Sequence, residues 1–206
     1  MMRAPQHARS GRRAGPAWLA AAFLSLLLCG LGGTACAQQQ RDGAAAPPAY
    51  VQQVLPQARL AGQGLFTWWG LAIYQARLWV GPAGYVAAAP AAAPFVLDLR
   101  YARALEGRKI AEASADQMEK IGAGSAVQRQ AWLQKMLAIF PDVKEGSHIA
   151  GAYLPALGAR FYLDGKLLAD VPDPDFARAF FAIWLDPAST GKELRAALLA
   201  DAGPRP

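Results

Sequence analysis

Apolar and polar positions alternate most clearly between Gly62 and Val80 (GQGLFTWWGLAIYQARLWV), which also holds Phe66, Trp68, Trp69, Tyr74 and Trp79. Two strand-like runs meet there near Gly70. In the second, Ala72, Tyr74, Ala76, Leu78 and Val80 share one face, with Gln75 and Arg77 on the other. A period of two with aromatic and branched side chains predicts a strand buried on one face. Phe95 to Arg103 (FVLDLRYAR) repeats the pattern and puts Asp98 and Arg100 together on a face expected to be solvated. Ser147 to Leu154 predicts a further strand. Ala159 to Ala169 predicts a hairpin turning at Asp164-Gly165, a type I′ pair.

Between the strands the period changes to helical. Ile110, Ser114, Met118 and Ile121 recur at helical spacing over 108–121, with Gly122 in the C-terminal glycine position. Ser125-Ala-Val-Gln128 reads as a capping box opening a helix whose stripe is Trp132, Leu133, Met136, Leu137 and Phe140, stopped by Pro141. Asp173-Pro174 predicts the cap and first residue of another helix, deeply buried along Phe176, Phe180 and Trp184. Thr190-Gly-Lys-Glu193 reads as a second capping box, opening a last helix. Gly81 to Pro94 is too rich in Pro and Gly for either element. Strands, two helices, strands, two helices is the order of an α+β domain with an antiparallel sheet.

The chain begins with Arg3, Arg9, Arg12 and Arg13, an apolar run from Ala17 to Leu31, and Ala35-Cys36-Ala37. This is the plan of a secretory signal peptide cut before Gln38. The apolar run of about 15 residues is short of the roughly 20 that a span needs. The expected layout is a signal peptide over 1–37, a flexible linker over 38–57 in which Tyr50 to Leu55 reads as a short turn packing on the domain, a folded domain over 58–201 and a disordered tail over 202–206. Export would place the protein in the periplasm, with a lipid anchor on Cys29 or Cys36 as the variant. Removing the four leader arginines from the 21 Lys and Arg residues leaves 17 against 15 acidic side chains, a net charge of +2. That excludes the basic footprint of a nucleic-acid binder. Both cysteines leave with the leader, so neither a disulfide nor a thiol nucleophile is expected.

Chemistry is sparse in what remains. His148 is the one histidine after the leader, and a structural role is expected for it. Asp170, Asp173 and Asp175 are separated by prolines and read as caps and turns rather than a calcium loop. No metal or cofactor is expected. The better candidates are Tyr74, Tyr101 and Tyr162, beside sheet-facing aliphatics, with Arg103 and Arg160 flanking two of them. An arginine and a tyrosine at the mouth of an apolar cleft can hold a carboxylate while a chain or ring lies against the sheet. Core tyrosines with solvated arginines are the other reading of the same residues.

From about Leu60 to Leu199 the sequence resembles the exported bacterial branch of the chalcone isomerase-like family. Four segments carry the likeness: Gly62-x-Gly64 with GLAIYQARLWV, LDLRYARALEGRKIAEASADQMEKIG, GSHIAGAYLPALGARFYLDGKLLADV and PDFARAFFAIWLDP. The resemblance implies an open-faced β-sandwich, a large antiparallel sheet covered by a layer of helices. Plant chalcone isomerases use an arginine, a tyrosine and a threonine; here the matching positions are Phe66, Ile110 and Gly70. Without the cation, stabilisation of a developing oxyanion is lost, so catalysis is not expected. Other members look like fatty-acid-binding proteins. The expected function is therefore binding of a small hydrophobic ligand such as a fatty acid. The alternatives are an isomerase or intramolecular lyase on another substrate, and an envelope protein-interaction module.

Overall fold

The structure, a computed structural model, describes residues 46–205. The leader, its cleavage site, both cysteines and the start of the linker lie outside the described residues. Six strands form one sheet in sequence order, every neighbour antiparallel. They are β1 (Arg59–Trp68), β2 (Leu71–Val80), β3 (Phe95–Tyr101), β4 (His148–Leu154), β5 (Gly158–Leu163) and β6 (Lys166–Val171). Helices α2 (Gly107–Lys120) and α3 (Ala126–Ile139) separate β3 from β4. Helices α4 (Pro174–Leu185) and α5 (Lys192–Leu198) follow β6, and the short α1 (Ala49–Val54) precedes β1. This is the α+β open-faced sandwich.

The turns obey local chemistry. Trp69 and Gly70 join β1 to β2 with φ of 51° and 75°, and Asp164 and Gly165 join β5 to β6 with φ of 49° and 81°. Two successive left-handed residues make the primed turn that matches strand twist. Ser125 caps α3 in a full capping box with Gln128, and the Asp173 carboxylate accepts from the Phe176 amide at 3.0 Å to open α4.

Alternation in the strands sends Ala76, Leu78, Leu97, Leu99, Ile149 and Phe161 into the main core beneath α2 to α5. Helix α4 fills its centre. Phe180 touches the rings of Phe140, Phe161, Phe176, Phe181 and Trp184 at centroid distances of 5.9, 5.1, 5.6, 5.4 and 5.3 Å. Helix α5 lies so close on β1 that a Cβ at Gly62 would sit 2.0 Å from the Ala197 carbonyl oxygen.

Four features depart from the sequence reading. Residues 46–57 do not form a free linker: Val51 and Leu55 pack on Trp79, Val96, Ala150 and Ala152 across the other face of the sheet. That second layer buries Asp98, expected in solvent, to 1% exposure. The carboxylate instead meets the His148 ring, with Nδ1 at 3.1 and 3.3 Å from its two oxygens. The second capping box does not form either. Gly191 precedes α5 without a side-chain cap, and Thr190 instead donates to the Gln117 side chain at 2.6 Å, tying α5's approach to α2. At the other end Ala202 is buried, and its carbonyl accepts from the Tyr85 amide at 2.7 Å.

Candidate functional site

The five residues singled out in the sequence do not gather in one place. Tyr74 and Tyr101 face each other across β2 and β3 on the helix-covered side, with ring centroids 6.0 Å apart. The Trp184 indole N–H of α4 donates to the Tyr74 hydroxyl at 3.0 Å, and Phe66 stacks on the Tyr74 ring at 5.0 Å. Burial pushes the Tyr74 hydroxyl up to about 12, despite the Trp184 hydrogen bond, and raises Tyr101 further. These rings fill the space between sheet and helix.

Tyr162 and Arg160 lie on the opposite face. Tyr162 packs on Tyr50 of α1 at 5.3 Å. Arg160 makes a two-pronged pair with Asp170 on the neighbouring strand, at 2.6 and 3.1 Å, which holds that carboxyl below its usual range. Its guanidinium is thus committed. Arg103, half-buried just after β3, makes no ion pair among the described residues.

An open groove runs along α4 from Asp175 to Asp186. It has a volume of about 500 Å³ and is bounded by the 81–94 loop, the α2–α3 link with the start of α3, and α4 itself. Phe95, Trp132, Phe181 and Leu185 make its apolar walls, and the small Ala179 and Ala182 leave it open. Two constraints set the Trp132 wall. A Cβ at Gly124 would come within 2.5 Å of the indole, and the indole N–H donates to Asp173 at 3.2 Å. Burial opposes charge on Asp173, yet Lys135, the Phe176 amide and Trp132 together hold its carboxyl below the ordinary value.

The polar groups of the groove sit at its rim: Gln128, Asp175, Arg178 and Asp186. Arg178 pairs with Asp175 one turn earlier on α4. Its guanidinium also neighbours the Tyr153 hydroxyl, where burial pushes the phenol up and the cation pulls it back. The Tyr153 ring lies flat on Phe95 at 5.0 Å. The volume falls within the roughly 300–1,000 Å³ of small-molecule sites, and an apolar wall with few polar groups is their usual lining. A second hollow, of about 360 Å³, lies between the end of α1 and the ends of the 81–94 loop and has no charged group in its lining. Among the described residues, no group of three His, Asp or Glu side chains is placed to hold a metal ion.

The chalcone isomerase-like family model matches residues 42–200. The chain belongs to the chalcone isomerase-like family. A solved structure similar to it is that of a fatty-acid binding protein of Arabidopsis thaliana. The two share 15% identity and a TM-score of 0.55, over 71% of this chain and 88% of that one. At that identity the likeness speaks for the fold. Among curated proteins, an uncharacterized protein of Haemophilus influenzae is 33% identical over 108 residues, 52% of each chain. The chain thus spans about half the length of that relative.

Within this chalcone isomerase-like domain, the groove residues Tyr153 and Arg178 were missed in the sequence. Arg178 does carry a signal: it stands three and four positions before Phe181 and Ala182, hence on their side of the helix. Nothing in the sequence of the 81–94 loop announces that it forms the facing wall.

Proposed function

We propose that this chalcone isomerase-like protein binds a small hydrophobic acid, such as a fatty acid, without transforming it. The observation that carries the reading is the groove, apolar along its walls and bearing Arg178 and Tyr153 at one side of its rim. An acyl chain would lie along Phe95, Ala179, Ala182 and Leu185. Its carboxylate would take hydrogen bonds from the guanidinium and the phenol, sharing the cation with Asp175. Binding rather than catalysis is supported by Phe66. At the position where the plant enzymes' arginine is matched stands a ring stacked on Tyr74, which supplies no charge to a developing oxyanion.

Calorimetric titration of laurate into the protein tests the site. Arg178→Gln is expected to weaken binding about tenfold, the worth of one charge-assisted contact, with the melting temperature unchanged. Wild-type affinity in that variant removes the assignment. We further propose export to the periplasm with cleavage before Gln38. N-terminal sequencing of protein from a periplasmic extract should begin at Gln38, and a chain retaining Arg3 to Arg13 contradicts it.

A further inference from the structure

Four of the large apolar side chains exposed among the described residues fall within seven positions of one hairpin. They are Leu65 at 57%, Trp68 at 58%, Trp69 at 88% and Leu71 at 51%. The β1–β2 pairing runs on to Trp68 opposite Leu71, while β3 ends at Tyr101 opposite Tyr74. Ala102, just past β3, still donates to the Ile73 carbonyl, so the hairpin overhangs the sheet by two residues and its turn, about 7 Å at roughly 3.3 Å per residue. Its tip residue, Trp69, has a φ of 51°, a left-handed conformation that Asn, Asp or Gly would adopt with less strain. A bulky aromatic held there, almost wholly in water, serves neither the turn nor the core.

The hairpin itself carries charge of one sign, with Glu145 the acidic neighbour of its base, beside the Gly146 amide that donates to the Tyr101 carbonyl. No acidic residue occurs from Arg59 to Val80. The one carboxylate of β3, Asp98, is buried against His148 on the face covered by α1. Arg100 and Arg103, at the base of the overhang, make no ion pair among the described residues. We infer that the β1–β2 tip is a wedge by which the protein docks on the surface of an anionic lipid bilayer, Trp68, Trp69, Leu65 and Leu71 entering the interface and Arg100 and Arg103 meeting lipid phosphates. Tryptophan favours that interface because its ring is apolar and its N–H remains wet. Cations beside an apolar tip add attraction to anionic headgroups. A protein partner fits less well. A protruding two-stranded tip has no broad face from which to bury the roughly 800 Å² per side of a stable interface, and two copies would oppose like charges.

This inference is independent of the groove. Its test uses the unit from Asp42 to Pro206, which contains every helix and strand among the described residues, because the apolar leader would bind lipid by itself. Vesicles of phosphatidylethanolamine with phosphatidylglycerol are the probe, read by co-sedimentation and tryptophan emission. The other tryptophans of the unit, Trp79, Trp132 and Trp184, are 0, 3 and 7% exposed, so a blue shift reports Trp68 and Trp69. Binding with a blue shift is expected, weakened by salt and by replacing the anionic lipid. The double variant W68S/W69S should lower the bound fraction about tenfold or more. R103E should lower it less, and Arg178→Gln should leave it unchanged. No sedimentation with vesicles, or equal binding by W68S/W69S, overturns the inference. So does a concentration-dependent dimer in ultracentrifugation that W68S/W69S abolishes.

Discussion

Two tyrosine-bearing regions on the same face of the sheet end in opposite states. Around Tyr74 and Tyr101 the space between sheet and helix is full, because α4 puts Trp184 there and β1 adds Phe66. Beside Tyr153 a groove stays open: α4 sets Phe181 edge-on to the Tyr153 ring at 5.8 Å, but its Ala179 and Ala182 leave the space between α4 and the 81–94 loop unfilled. The sheet supplies an aromatic floor in both places. What differs is what the single helix α4 sets beside its large rings: Trp184 closes over the first pair of tyrosines, while Ala179 and Ala182 flank Phe181 at the second. Filling favours stability, since an interior packs densely and leaves few voids. An unfilled stretch beside it gives up that contribution and leaves room for a ligand.

If the contrast is right, changes in the filled region move stability and changes in the groove move binding. The largest effect should come from Phe180→Ala, which empties a position ringed by five aromatics. Urea denaturation should show a loss of about 3–5 kcal/mol. A loss below about 1 kcal/mol would mean the ring cluster is not the keystone of the core. Tyr74→Phe comes next. It leaves the Trp184 N–H without its acceptor, at a cost of about 1–3 kcal/mol at neutral pH.

The same tyrosine sets an alkaline limb. Its folded-state pKa, about 12, lies above the ordinary 10.0, so the folded protein keeps a proton that the unfolded chain gives up. Stability should hold below pH 10 and fall as pH rises from about 10 to 12, by up to about 2 kcal/mol from this group. Tyr101, also raised, adds to the fall. In Tyr74→Phe the slope should be shallower; an unchanged slope would show that this phenol is not shielded. The smallest expected change is the stability of Arg178→Gln, within about 0.5 kcal/mol of the parent. Paired with its loss of laurate binding, that small change is the sharpest single test of the contrast.

Much of the fold was legible before the structure. The alternation in 71–80 and 95–101, the Asp164-Gly165 turn, the Ser125–Gln128 box and the Asp173-Pro174 start are local signals, each decided within a few residues. Where a local signal failed, a distant contact had overridden it. Thr190 found Gln117 instead of a box partner, and Asp98 was buried by a helix some fifty residues before it. The proposed groove site uses the residue types the sequence reading looked for, an arginine and a tyrosine beside an apolar cleft, at other positions. Arg160 is taken by Asp170 across a strand pair, a consequence of register that spacing does not reveal. Tyr74 and Tyr101 are closed over by Trp184, which is 110 residues from Tyr74.

The sequence by itself determined most of the strands and helices and one apolar side of each, but not α1 or the burial of the Asp98 side of β3. Periodicity and capping are short-range properties, fixed by backbone geometry and by hydrogen bonds within a turn. Only the tertiary structure decided which aromatic positions became filled core and which became groove. That depends on which side chains two distant segments bring to the same few ångströms, and on whether they are large or small.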